Sequence, residues 1–396
     1  MNINSKYTRF SAITALAIFI GTISTQTTAQ VKIGVINSLS GGLAAFGVSY
    51  NTGMQVALEE INSNGGINGQ KLELISQDDR SEAQSALAAV ESLGNQGVPL
   101  IIGSYASGIT GPMARVMTRQ KIPLVVLGSA DDSITKPGSP WVFRAKHNST
   151  IVAKTYFDYF DSIKKKPAVS LNKIAIMHGN GAWPTSLAEE SVKLAKQRGY
   201  EVVGNQSYDQ GTMDFRPILN NFRSANPDIL YTISYADDGI AIARQLKEVG
   251  LKVKVIAIDT ASSLPSFIEQ VGALSENVVS VVSWSKDVKY EGTADLYVRL
   301  KARAKKEPSF YEAEGYLAVR VAADALRRAK SVDRELVRKA LTATDLKTPV
   351  TNVIFENKNG FQGQNPIKSL VVQIQDGIHT TIFPEELASK PARYEK

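Results

Sequence analysis

Few side chains in this sequence could carry covalent chemistry, and none is arranged to do so. There is no cysteine to serve as a thiol nucleophile, and the only histidines, His147, His178 and His379, are too scattered for metal-ligand spacing. No Walker sequence, GxSxG elbow or HExxH pair occurs. Gly179-Asn180-Gly181 lacks the third glycine of a dinucleotide loop and runs into Trp183-Pro184, so it reads as a strand-to-helix turn. The neighbouring acids Asp78-Asp79 and Asp237-Asp238 fall at strand ends or helix starts, where solvated turns and caps explain them. What remains is binding chemistry. Ser107 opens a helix after a strand, so its hydroxyl and the free N–H groups beside it either receive an anion or cap the helix. Asp259 ends the apolar strand VIAID, where its carboxylate either faces a ligand at the strand tips or caps a helix beginning near Ser262 or Ser263.

The elements that must hold these residues are strands alternating with helices. Residues 31–36 read as a buried strand, 39–47 as a small-residue loop, 53–61 as an amphipathic helix and 71–76 as the next strand. Helix 81–96, strand 99–102, helix 107–119 and strand 122–127 follow. A second series runs from helix 150–165 to strand 253–258, after a passage at 131–148 rich in proline and glycine that reads as the first connection between lobes. The chain then reads as strand 278–282, three helices between 292 and 343, and extended pieces at 352–355 and 370–375. The expected fold class is α/β, two doubly wound parallel-sheet lobes joined by a hinge of three crossings. The expected division is 30–147 plus 284–350 for the first lobe and 148–283 plus 351–396 for the second lobe and hinge-proximal tail. A chain of 396 residues exceeds a usual single core, in keeping with two domains.

The start of the chain indicates the compartment. Lys6 and Arg9, an apolar stretch at 12–20 and the small residues Thr27, Thr28 and Ala29 make residues 1–29 a secretory signal peptide. The apolar run is far shorter than the roughly 20 residues of a membrane span. No cysteine follows the cleavage site to carry a lipid, so a periplasmic protein is expected. The net charge of +7 includes Lys6 and Arg9, and the mild remainder forms no basic stripe, so nucleic acid is not an expected partner.

The stretches VINSLSGGLAAFG, NTGMQVALEEINSNGGINGQKLELISQDD, PLIIGSYASGITGPMA, IPLVVLGSADDSITKPGSPWVFRA and YADDGIAIARQLKEVGL share order and spacing with one family. From about Val31 to about Phe361 the chain resembles the branched-chain amino-acid-binding proteins of ABC importers, type I periplasmic binding proteins. The pattern Asn-x-x-Gly-Gly-Ile-x-Gly at Asn62–Gly69 is especially marked, its glycines ending a helix and turning tightly into the next strand.

The resemblance implies a non-enzymatic solute-binding protein without cofactor or metal, expected to be a monomer. It would close two lobes on an amino acid, or a related acid or amide, and deliver it to a permease in the inner membrane. It implies that Ser107 binds the ligand carboxylate, that Ser129, Ala130 and Asp131 contact both ends of the ligand, that Phe46, Trp183 and Tyr235 line the pocket, and that Asp259 faces the ammonium. Asp131 stands where the family often has threonine; it would repel a carboxylate unless it capped a helix or met a second cation. Trp183 and Phe46 enlarge the apolar wall, Trp183 with the alternative of packing beneath Pro184. The family's disulfide is absent, Ala106 occupying one of its positions. Two alternatives stay open: an aromatic or aliphatic carboxylate lacking an amine as ligand, and a periplasmic ligand sensor.

Overall fold

A computed structural model describes residues 30–166 and 169–394; the expected signal peptide lies outside the described residues. In chain order, β1 (Val31–Asn37), α1 (Ala44–Ser63), β2 (Leu72–Asp78), α2 (Ala83–Asn95), β3 (Ile101–Gly103), α3 (Ser107–Gln120), β4 (Leu124–Val126) and β5 (Val142–Arg144) wind the first sheet. The second begins with α4 (Ser149–Lys164), β6 (Lys173–Gly179), α5 (Ala182–Gln197), β7 (Glu201–Tyr208) and α6 (Arg216–Ala225). It continues through β8 (Ile229–Ser234), α7 (Ala236–Val249), β9 (Val255–Thr260), α8 (Pro265–Val271) and β10 (Val279–Val282). Three helices, α9 (Thr293–Ala304), α10 (Phe310–Ala329) and α11 (Arg334–Thr342), return to the first lobe. The tail holds the short pair β11 (Asp345–Leu346) and β12 (Val353–Ile354), then β13 (Glu356–Lys358), β14 (Phe361–Gln364), β15 (Leu370–Gln375) and β16 (Ile378–Phe383).

The strand orders are β13-β14-β5-β4-β3-β1-β2 and β16-β15-β10-β9-β8-β6-β7. Strands from β1 to β10 pair in parallel, whereas β13 and the β15–β16 hairpin add antiparallel members at the edges. Helices cover both faces, so inner strands such as ILYTIS of β8 are apolar and buried along their length. The expected fold class is the one observed.

Three crossings join the lobes: residues 145–148, the connection after β10, and 365–369. The first and third are tied side by side, with Asn365 Nδ2 donating to the Ala145 carbonyl at 2.8 Å and Gln364 Nε2 to that of Lys146 at 2.8 Å. One boundary differs from expectation. β14 pairs in parallel with β5, so residues 356–364 belong to the first sheet and only the chain beyond them to the second. The piece around Trp141–Arg144, read as part of the passage between lobes, is for the same reason a strand of the first sheet. Helix α1 begins at Ala44 rather than at Gly53, because Gly47 and Gly53, which look like helix breakers, are sites of close approach. A Cβ on Gly47 would stand 1.7 Å from the Ser38 carbonyl oxygen, and one on Gly53 1.7 Å from that of Glu312 in α10. Gly315 of α10 answers with its own close approach to the Tyr50 carbonyl, so the two helices cross nearly backbone to backbone.

Candidate functional site

The C-terminal ends of both sheets meet across one cavity, which residues of both lobes line. The lobes touch around it. Asp132 N–H donates to Ser186 Oγ of α5 at 3.3 Å, and Ser263 Oγ to Tyr311 Oη of α10 at 3.4 Å.

On the first-lobe wall stand Ser107, Gly128, Ala130 and Tyr105. Ser107 is the first residue of α3, and its Oγ accepts the Asp131 N–H at 3.1 Å, which leaves its own O–H proton to be donated elsewhere. The loop after β4 bends at Gly128, and its residues divide between the cavity and the packing behind it. Gly128 and Ala130 border the cavity; a Cβ at Gly128 would come within 2.6 Å of Tyr105 Cδ2. Ser129 turns away, its hydroxyl bonded to the Tyr105 carbonyl at 2.9 Å and to Thr110 Oγ1 at 2.6 Å. Asp131 also points elsewhere, its carboxylate accepting the Ser133 N–H at 3.0 Å and hydroxyl at 2.8 Å as the cap of a single 3-10 turn. Its main-chain carbonyl accepts from the buried Arg144 guanidinium at 2.7 Å. Burial pulls that guanidinium down to about 10, opposed by the charges of Asp132 and Asp131. Asp131 thus caps that turn, and its charge acts on the buried Arg144.

The second-lobe wall brings Trp183 from the first turn of α5, Tyr235 from the loop before α7, and Asp259 and Thr260 from the end of β9. Trp183 and Tyr235 pack with ring centroids 5.1 Å apart. Phe46 does not border the cavity; it stacks behind Tyr105 at 4.5 Å and edges onto Tyr311 at 5.2 Å, backing the rings that do. Of the eight residues expected at the ligand, Ser107, Ala130, Trp183, Tyr235 and Asp259 line the cavity, and Ser129, Asp131 and Phe46 support it from outside.

Asp259 is 4% exposed and makes no ion pair among the described residues. Burial pushes its carboxyl up to about 7, opposed by the Thr260 N–H that Oδ1 accepts at 2.9 Å, by the charge of Lys146 and by the Tyr156 hydroxyl. Thr260 itself holds φ +64° and ψ −60°, a region that β-branched residues avoid, so backbone strain is concentrated at the tip that presents Asp259.

Several lining residues escape sequence reasoning. Lys146 and His147 sit on the first crossing, where no periodicity marks a wall, and Phe310 and Tyr311 begin a helix whose long apolar pattern announces only packing. Lys146 Nζ donates to the Gly128 carbonyl at 2.9 Å and stands 3.4 Å from Glu314 Oε2. Burial lowers the Lys146 ammonium, and Glu314 opposes that shift. His147, held to Ser369 Oγ at 3.1 Å, is driven well below the ordinary imidazole value by burial and by the cations beside it, so it stands neutral. Lys146 and His147 stand just past a strand end, but nothing in the local sequence says that the crossing turns them to the cavity.

The sequence matches the profile of the family described as periplasmic binding protein over residues 30–377. The chain belongs to this family. It is 28% identical over 378 residues to a Leu/Ile/Val-binding protein homolog 7 of Brucella abortus, covering 92% of this chain and 94% of that one. A Leu/Ile/Val-binding protein homolog 8 of the same species is 26% identical over 390 residues, covering 95% and 96%. Among solved structures, LivJ of Streptococcus pneumoniae in complex with isoleucine superposes with a TM-score of 0.78 at 22% identity, over 89% of this chain and 98% of that one. A solute-binding protein of R. palustris in complex with benzoate gives a TM-score of 0.78 at 16% identity, over 93% and 98%. These structural likenesses speak to the fold. Periplasmic binding proteins are a solute-binding family rather than an enzymatic one, and its members are periplasmic. No described helix is long and apolar enough to cross a membrane, and no described cluster of His, Asp and Glu could hold a metal ion.

Proposed function

We propose that this periplasmic binding protein captures an amino acid between its lobes and hands it unchanged to the permease of an ABC importer. The observation that carries the reading is Asp259, a carboxylate buried in the cavity wall with no cationic partner of its own. A buried acid left unpaired is costly, and a ligand ammonium is the group that relieves it. On the other wall Ser107 offers its hydroxyl proton at the N-terminal end of a helix, the end that favours an anion. A donor on one wall and an acceptor on the other match a zwitterion. Because the two walls belong to different lobes, the ligand favours the closed arrangement by its differential contacts, and closure is what a permease can sense. The names of the relatives and the isoleucine in one of the superposed structures support the amino-acid class.

A thermal-shift screen of amino acids alongside their des-amino acids tests this, since a tight ligand stabilises by mass action. Stabilisation by amino acids alone is the expected result. Equal stabilisation by the des-amino acids would favour the second reading, an amine-free aromatic or aliphatic carboxylate. Lys146 on the wall, the rings of Trp183, Tyr235, Tyr105 and Tyr311, and the benzoate-bound relative all support that alternative. The sign of the pH dependence separates the two. An ammonium binds ionised Asp259, so affinity rises with pH toward 7. A lone carboxylate requires Asp259 protonated, so affinity falls over the same range.

A further inference from the structure

The cavity wall holds a cation that the reading above does not use, and the inference drawn from it rests on that reading. Lys146 follows β5 on the first crossing and is 4% exposed. Its ammonium has three N–H donors. One goes to the Gly128 carbonyl at 2.9 Å and one faces Glu314 Oε2 at 3.4 Å, with no further acceptor bonded to Nζ among the described residues. Glu314 cannot follow the ammonium elsewhere. Tyr50 Oη donates to its Oε2 at 2.6 Å and Ser283 Oγ to its Oε1 at 2.7 Å, on a helix locked to α1 by the Gly53 and Gly315 contacts. The lysine is therefore held at the cavity with one N–H making no hydrogen bond, its ammonium 6.0 Å from the centre of the Phe310 ring.

Ser107 reinforces this polarity. One of the two lone pairs of its Oγ accepts the Asp131 N–H, and its own O–H proton has no partner among the described residues, so it can donate toward the cavity. The Ala130 carbonyl, which could have offered an acceptor here, accepts the Ser149 N–H at 2.7 Å and the Ser149 hydroxyl at 3.1 Å. The first-lobe wall thus presents hydrogen-bond donors, one of them an ammonium whose charge Glu314 partly offsets.

We propose that Lys146 is the counter-ion of the ligand's carboxylate, and that this ion pair makes the site selective for free acids over their primary amides. A carboxylate accepts from Ser107 and Lys146 together, with the ammonium's charge matched to its own. An amide of the same shape brings an NH₂ group, a donor set against donors, and no charge. Such a mismatch leaves buried polar groups unpaired, the kind of difference from which binding sites draw large discrimination.

The test uses L-leucine, L-phenylalanine, their primary amides, and the amine-free acids 4-methylpentanoate and 3-phenylpropanoate as probes in titration calorimetry. Lys146→Met strands Glu314 and is expected to fold poorly. The informative variant is Lys146→Gln with Glu314→Gln, which keeps an acceptor oxygen for one of Tyr50 and Ser283, offers an N–H to the hydroxyl oxygen of the other, and removes both charges together. For the wild type the acid is expected to bind about 100-fold more tightly than its amide, and for the double variant the two should agree within about threefold through weakening of the acid. A folded double variant that keeps the wild-type acid-to-amide ratio would overturn the assignment of Lys146. Wild-type binding of the amine-free acids as tightly as the amino acids would overturn the role of Asp259 while leaving that of Lys146 standing. Failure of the wild type to bind any of the six probes would overturn the small-carboxylate reading and this inference with it.

Discussion

Lys146 Nζ and Glu314 Oε2 face each other at 3.4 Å, both side chains at most 5% exposed, across the seam between the first crossing and α10. Burial disfavours the ammonium and Glu314 offsets part of that, so each charge depends on the other. Glu314→Gln removes the anion and leaves Lys146 buried without its counter-charge. Unfolding by urea is expected to show a loss of about 3–5 kcal/mol, the usual result of breaking a buried pair from one side. Removing both charges should cost less than that single change. Additive losses would show that the two charges are not coupled.

Asp259 links stability to pH. Its folded carboxyl titrates at about 7, above the ordinary 3.8, because burial disfavours the charge. The folded state therefore holds this proton more tightly than the unfolded chain, and stability falls as pH rises from about 4 to about 7. The slope from this group alone is at most about 1.4 kcal/mol per pH unit. Asp259→Asn should flatten that part of the profile and make the ligand-free protein more stable at pH 8, while abolishing stabilisation by amino acids. A variant whose pH profile superposes on the wild type would show that Asp259 ionises without hindrance.

How much of this was legible in the sequence depends on how local each signal is. Ser107 and Asp259 could be found because each stands where an element changes, at a helix start and a strand end, and both line the cavity. The loop after β4 is legible as a wall element, but which of its residues border the cavity, Gly128 and Ala130 rather than Ser129 and Asp131, depends on a bend at Gly128 and on hydrogen bonds to Tyr105, Thr110 and Ser133. Phe46 carried an apolar signature that fits the layer behind the wall as well as the wall itself. Lys146 and Tyr311 could not be found, since their meeting depends on how the first crossing and α10 pack. The start of α1 was hidden because Gly47 and Gly53 lower helix propensity, and the reason for them, backbone approach to Ser38 and Glu312, is long-range. β16 was missed because its centre, Thr380-Thr381, interrupts the apolar run that marks a buried strand.

The crossing of α1 and α10 gives a stability prediction that separates steric need from helix propensity. Gly53→Ala would place a methyl 1.7 Å from the Glu312 carbonyl oxygen, so the helices must part. A loss of about 1–3 kcal/mol is expected in chemical denaturation, as for other overpacked cores. Gly111 lies inside α3, and a Cβ there meets only Arg115 Nη1 at 3.8 Å. Gly111→Ala should be neutral or stabilise by up to about 1 kcal/mol, because alanine favours the helix. Loss of stability in Gly111→Ala equal to that in Gly53→Ala would count against the close crossing.

Lobe closure can be followed through one of the three tryptophans. Trp141 is 8% exposed and Trp284 2%, each within the packed first lobe or its hinge, whereas Trp183, 7% exposed, owes part of its burial to the facing lobe. The arrangement described here has the lobes in contact through Asp132 with Ser186 and Ser263 with Tyr311. Opening the cleft withdraws Trp183 from the Tyr105 side and admits water to it, while Trp141 and Trp284 keep their surroundings. Ligand-free protein should therefore show an acrylamide-accessible fluorescence fraction that falls when an amino acid binds, together with a smaller radius of gyration in solution scattering. In Trp183→Phe the fluorescence change should vanish while the change in radius of gyration persists. If the accessible fraction survives in Trp183→Phe, the emission reports another tryptophan; if the radius of gyration of the wild type is the same with and without ligand, the lobes do not close on it.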